Sequence, residues 1–211
     1  MYLSSISQKI LREWRKMFSF AKNKKEKAMT YNAIDIAKKI VCKTDVEHGD
    51  TISNLKLQKL LYYMQGFHLA FFGEPLFNEP IEAWTYGPVV PVVFQEFKKF
   101  QKRAINPELY SDELVLTKDQ QNMFDQVYNE YNRFSAVALM NMTHNEGLWK
   151  NHSLGEVIPN NELRDFFLTQ IEVAWQKNWN QGKRRLINWV LSVRQKLFQR
   201  TKNIFRFHSS I

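Results

Sequence analysis

The sequence predicts a mainly α protein: a compact helical domain with a small β element, flanked by basic amphipathic helical extensions. Three observations carry that expectation. Capping residues recur ahead of apolar stripes at helical spacing. Only short stretches, Ile81–Trp84 foremost, alternate in the manner of a strand. Charge is also partitioned along the chain. Residues 1–28 hold eight Lys/Arg against two acids and residues 169–211 hold nine against one, while 29–168 carry an acidic excess within a net charge of +9. The expected organisation is a basic amphipathic extension (1–28), a domain (29–168) and a basic, aromatic-rich helical extension (169–211).

The elements follow in order. Ile6, Ile10, Trp14 and Phe18 recur every four positions among Lys9, Arg12, Arg15 and Lys16, as in a basic amphipathic helix. Asn32, with Asp35 three residues on, opens the domain's first helix, striped by Ile34, Ala37, Ile40 and Val41. After a polar loop, Lys43–Thr51, Ser53 caps a second helix with one broad buried face: Leu57, Leu60, Leu61, Met64, Phe67, His68 and Phe71. Gly73 ends it and Pro75 prevents its continuation. The strand Ile81–Trp84 leads into a Tyr86-Gly87-Pro88 turn, and Pro91 opens a helix burying Val93, Phe94, Phe97 and Phe100. Glu113–Leu116 reads as a second short strand.

Thr117 and Gln120 form a capping box for a helix carrying Met123, Phe124, Val127, Tyr128 and Tyr131. Ser135 caps another, with Val137, Leu139 and Met140 inside. Thr143–Pro159 reads as a loop, and Asn161 as the cap of a helix bearing Leu163, Phe166, Phe167, Ile171 and Trp175. In the tail, Leu186, Ile187, Val190, Val193 and Leu197 again fall at helical spacing.

Composition narrows the class further. A chain of 211 residues suits one domain with attachments. With 44% hydrophobic residues a real core is available and global disorder is disfavoured. The single cysteine, Cys42, leaves no internal disulfide and no multi-cysteine zinc site, which fits a reducing cytoplasm. No run of about 18 apolar residues is present, so no spanning helix is expected.

Searching for chemistry yields little. There is no P-loop, no G-x-G-x-x-G and no G-x-S-x-G elbow. His144-x-Glu146 matches half of a zinc deaminase signature, but its P-C-x-x-C half cannot exist with one cysteine. His144, Glu146 and His152 are irregularly spaced loop groups, so the expectation is no catalytic residue, no metal and no cofactor. His68 reads as a core or boundary histidine. Lys59, Tyr62, Tyr63 and Gln65 occupy other faces of their helix, either solvated or a partner surface, since tyrosine gives large contact area at low entropy cost. In the tail, Lys183, Arg184, Arg185, Trp189 and Arg194 combine cations with an aromatic. That composition suits nucleic acid, an anionic membrane surface, or simply packing against protein.

The segment Leu55 to Phe100 resembles the Panacea domain, a phage-associated antitoxin family of bacterial toxin–antitoxin pairs. Lys59-Leu60-Leu61-Tyr62-Tyr63 resembles its K-L-L-Y-Y core, extended by Gln65, His68 and Leu69. Pro75-Leu76-Phe77 follows. Glu82-Ala83-Trp84 with Tyr86-Gly87-Pro88-Val89 is the most specific piece. Met29–Val41 is similar to the family's opening. Thr143-His144, Glu146 and Trp149 are similar to its later T-H…W stretch, with Gly147-Leu148 where a proline often precedes the tryptophan. The resemblance covers roughly 30–168 and neither basic end.

The resemblance implies a non-catalytic, cytoplasmic neutraliser that binds a toxin encoded beside it, in a prophage or phage-defence setting. Handing the toxin to a protease and a peripheral place at the inner membrane are further readings, and oligomeric state stays open. Candidate toxin contacts are Lys59, Tyr62, Gln65, Trp84, Tyr86, His144, Glu146 and Trp149. The scaffold set is Leu60, Leu61, His68, Glu82, Ala83, Gly87, Pro88 and Val89. For the Trp84–Pro88 group, scaffold and direct contact both stand.

Overall fold

One helix sets the architecture. The computed structural model describes residues 29–171. Their order is α1 (Ala33–Cys42), α2 (Asn54–Phe72), β1 (Ile81–Trp84), β2 (Gly87–Val89), α3 (Pro91–Phe97), α4 (Lys118–Tyr131), α5 (Ala136–His144), α6 (Gly147–Lys150) and β3 (Val157–Ile158). A last helix, α7, runs through residues 160–171. These residues lie in the unit Met1–Gln170, save the first residue of a second unit, Ile171–Ile211. The extension at 1–28, the position Trp175 and the tail candidates Lys183, Arg184, Arg185, Trp189 and Arg194 lie outside the described residues.

Local chemistry starts and stops the helices as the sequence predicts. The Asn32 side chain accepts from Ile34 N, Ser53 from Lys56 N and Ser135 from Ala138 N. The Thr117–Gln120 capping box closes in both directions. Gly73 ends α2 in the left-handed conformation, at φ 76°. Pro91 is the first residue of α3.

Burial departs from the expected stripes. α2 does not bury one broad face: only Leu55 and Phe72 among its residues are not buried. It is wrapped by α1, α3, α4, α5 and β2, so it runs through the core rather than along it. In α1 the inward positions are Ala33, Ile36, Ala37, Ile40 and Val41, and Ile34 lies at the margin. Val137, expected inside, is 57% exposed, whereas Leu139 is buried. α3 ends at Phe97 and passes into a 3₁₀ turn, Lys98–Phe100, with Phe94 and Phe100 half-buried.

The small sheet also differs from expectation. Its order is β2-β1-β3, antiparallel throughout, with Trp84 opposite Gly87 and Glu82 opposite both Val89 and Val157. Gly87 and Pro88 therefore belong to a strand, and the turn is Thr85-Tyr86. Glu113–Leu116 forms no strand: the Leu114 carbonyl is taken by the Lys39 ammonium at 2.9 Å instead of a ladder partner. The third strand comes from Val157–Ile158, inside the stretch read as a loop. That stretch also contains the end of α5 and all of α6. α7 begins at residue 160, where Leu163 N bonds to Pro159 O, so the entry is set two residues ahead of Asn161.

Aromatic packing closes the core where α7 meets α2. Phe167 makes edge contacts with Tyr62, Tyr63 and Phe67, and Tyr63 stacks on Tyr131 at 3.9 Å. Phe167 comes this close because residue 66 has no side chain: a Cβ there would lie 2.1 Å from the ring. In a solvated helix, replacing glycine by alanine gains up to about 1 kcal/mol. Here the overlap decides the sign. Gly66→Ala should destabilise the fold by at least about 2 kcal/mol in urea unfolding, the scale of an overpacked core; a net gain would show that Phe167 moves aside freely.

Candidate functional site

Polar residues on α2 reach out of the helix and hold the non-helical segments. Gln58 Oε1 accepts from Val90 N at 2.9 Å, and the Lys59 ammonium donates to Pro88 O at 2.8 Å. Gln65 Oε1 accepts from Leu76 N and Phe77 N, and its Nε2 donates to Phe77 O. His68 donates from Nδ1 to the Glu74 carbonyl at 2.7 Å, which leaves Nε2 to accept from Gln120 Nε2. The ring is thus a neutral tautomer, and burial pushes its pKa down to about 4. Gln120 also donates to Met29 O, tying the chain before α1 to the same network.

The hairpin is seated on this rail. Gly87 has φ 92°, and a Cβ there would lie 2.7 Å from Thr143 Oγ1 and 2.8 Å from Lys59 Nζ. Only glycine satisfies both the left-handed backbone and the close approach. Ile81, Ala83 and Val89 face inward, as do Leu60 and Leu61 on α2. Glu82 accepts from the Trp84 indole at 2.8 Å.

Glu146 is the counterpart from the other side. It stands at the N-terminus of α6, yet its carboxylate turns inward and accepts from Tyr62 OH at 2.5 Å and Tyr63 OH at 3.1 Å. Burial raises its pKa to about 7, against the pull of both hydroxyls and of the Lys59 charge. Burial lowers Lys59 to about 7, opposed by Glu146. The tyrosines are held well above their ordinary value, first by burial and then by the Glu146 charge. The amine and the carboxyl fasten two segments: Lys59 has no solvent access, and Glu146 is half-buried with its carboxylate turned inward.

Above this lock lies an aromatic surface. Trp149 donates its indole N–H to Trp84 O at 3.0 Å, and the His144 ring stacks on Trp149 at 4.1 Å. Trp84 packs edge-on against Phe94. Trp84, Trp149 and His144 are half-buried, and Tyr86 at the hairpin tip is 65% exposed.

The sequence-derived candidates therefore separate into two sets. Lys59, Tyr62 and Gln65 are fully buried, so they form neither a solvated face nor a contact surface; their polar ends face backbone or Glu146. Trp84, Tyr86, His144 and Trp149 come together at the surface, with Glu146 beneath them. Sequence reasoning missed Gln58 and gave Thr143, named only within the T-H…W stretch, no role; both are buried and both lie against the hairpin. Their signal was a polar residue at an inward helical position. Among the described residues no three metal-binding side chains converge, and no helix is long and apolar enough to cross a membrane.

Comparison with known proteins meets this geometry. Residues 57–150 match the family described as "Antitoxin SocA-like, Panacea domain". The curated protein Antitoxin SocA of Caulobacter vibrioides (strain NA1000 / CB15N) is similar to this chain, 37% identical over 106 residues. That stretch is 46% of this chain and 56% of the relative, so the chain spans little more than half of the relative's length. No solved structure matches the chain.

The lock yields a pH test. Glu146 holds its proton to about 7 in the folded protein against an ordinary value of 4.5. The folded state therefore binds more protons over that window, and this contribution to stability is lost as pH rises through it. Thermal melts of Glu146→Gln should show a flatter decline from about 4.5 to about 7 than the parent. Identical slopes would mean that the carboxyl is not enclosed.

Proposed function

We propose that this chain, which belongs to the SocA-like Panacea family through residues 57–150, is an antitoxin that neutralises a toxin encoded beside it by direct protein–protein binding. The observation that carries the reading is the 37% identity with Antitoxin SocA over 106 residues, beside a family match at residues 57–150 that contains the lock and the hairpin. Geometry supports a binding role over a catalytic one. Lys59, Tyr62 and Tyr63 are buried and face Glu146 or the hairpin backbone, and what they hold in place is an outward aromatic surface.

The proposed contact residues are Tyr86, Trp84, Trp149 and His144, fixed in position by Glu146, Lys59 and the two tyrosines. A stable protein complex buries about 800 Å² per partner. Four aromatic side chains would supply its centre, in keeping with the enrichment of Trp and Tyr among residues that dominate binding energy. The role is non-catalytic and cytoplasmic, with no cofactor required. Lys59, Tyr62 and Gln65 contribute by holding the surface, not by touching the toxin.

Co-expression with the neighbouring toxin gene tests the reading. The parent chain should restore growth. Tyr86→Ala should keep its unfolding free energy within about 0.5 kcal/mol, as for an exposed site, and lose protection and co-purification with the toxin. A chain that leaves growth arrest untouched would falsify the antitoxin role. Full protection by both Tyr86→Ala and Trp84→Ala would place the contact elsewhere on the molecule.

A further inference from the structure

The outer face of the sheet carries a charge that no cation answers among the described residues. Ile81 and Ala83 are buried, so by strand alternation Glu82 and Trp84 look outward, and both are half-buried. Cross-strand neighbours share a face, and those of Glu82 are Val89 on one side and Val157 on the other. Val89 is 5% exposed and Val157 47%. A carboxylate thus stands between two valines, with an indole beside it on the same strand. Among the described residues it accepts one hydrogen bond, from Trp84 Nε1 to Oε2 at 2.8 Å. The Lys59 ammonium is committed to the Pro88 carbonyl instead, and Lys150, beside Trp149, makes no ion pair with Glu82.

Most surface carboxylates are simply solvated, but Glu82 differs in its frame. Partly desolvated charges are ordinarily paired, and one neutral N–H on Oε2 leaves Oε1 without a partner. The groups around it suit a cation with an apolar stem. The indole N–H groups of Trp84 and Trp149 are both spent inside the protein, on Glu82 and on the Trp84 carbonyl. These side chains therefore offer ring surface and no free donor, and ring faces attract cations. Tyr86 at the hairpin tip is exposed, as is Leu154 in the turn that Gly155 N–H ties to the Ala83 carbonyl. A guanidinium fits such a setting best. It is planar, stacks on aromatic rings and donates two parallel N–H bonds to a carboxylate, while its stem lies along apolar side chains.

We propose that Glu82, framed by Trp84, Tyr86 and Val157, receives an arginine side chain of the protein partner, its guanidinium donating to the carboxylate and lying against the rings. This names the partner's chemistry at the surface described above and rests on that surface being a partner site. Glu82 then has two tasks. Oε2 fixes the Trp84 ring, and Oε1 meets the partner.

The Trp84 indole reports directly on the carboxylate to which it is bonded. Nα-acetyl-arginine amide and its uncharged counterpart, Nα-acetyl-citrulline amide, are titrated separately into the ¹⁵N-labelled full chain. A saturable shift of the Trp84 indole N–H is expected with the arginine probe, at roughly tenfold tighter binding than citrulline, the scale of a hydrogen bond to a charged group. Glu82→Gln keeps an acceptor for the indole and loses the charge, so it should erase that preference without moving the melting curve. With the neighbouring toxin co-expressed, Glu82→Lys should abolish co-purification. Equal response to the two probes, absence of response included, overturns the site, as does a preference for arginine undiminished in Glu82→Gln. Full co-purification of Glu82→Lys overturns its part in partner contact. No toxin enters the titration, so a parent chain that gives no protection counts against the antitoxin reading alone.

Discussion

The structure depends on hydrogen bonds made by polar side chains inside α2 to the backbone of segments that are not helical. A helix buried on nearly every side would ordinarily be apolar all round. α2 instead carries Gln58, Lys59, Gln65 and His68 at positions with almost no solvent access. Each faces a carbonyl or amide of a loop or short strand, at Val90, Pro88, Phe77 and Glu74. Leaving any such group unpaired costs about 1–3 kcal/mol. The loops are thus held against the helix by groups that have no acceptable alternative. Backbone segments with little regular structure acquire fixed positions in this way, and the outer surface inherits that order.

The aromatic surface is the clearest inheritance. Lys59 fixes β2 through Pro88, and Gly87 lets β2 approach both Lys59 and Thr143. Glu146, drawn inward by two tyrosines, fixes the start of α6. Trp149, three residues on, then meets the carbonyl of Trp84. Hairpin and helix are brought to one place by separate anchors and joined there by one further bond. A surface assembled in this manner loses little freedom when it is covered, and such preorganisation is what turns aromatic area into affinity.

Much of this was legible locally and little of it globally. Asn32, Ser53, Thr117, Ser135, Gly73 and Pro91 act within a turn of their own position, so their roles could be read from spacing. β3 could not, because Val157–Ile158 is a strand only by pairing with Ile81–Glu82, more than seventy positions earlier. Glu113–Leu116 shows the reverse error: alternation without a neighbour makes no strand. Val137 reads as core by residue type but lies on the solvent side of α5. The inward Lys59 and Tyr62 escaped because charge and hydroxyl normally mark a helix's outer face. Their partners, Pro88 O and Glu146, lie far along the chain.

This division bears on what a family resemblance conveys. The stretch that matches the Panacea family contains Lys59, Tyr62, Gln65 and Gly87, and all four are buried. A partner cannot read a residue it cannot touch, so these positions specify how the hairpin and α6 are seated, not what they bind. On the proposed reading, discrimination between partners comes from side chains that reach solvent around Tyr86, Trp84 and Trp149. Those are positions where substitution disturbs the interior least. The same scaffold can therefore hold different surfaces: the buried motif fixes how the hairpin and α6 are seated, and the side chains around Tyr86 are free to differ without disturbing that seat.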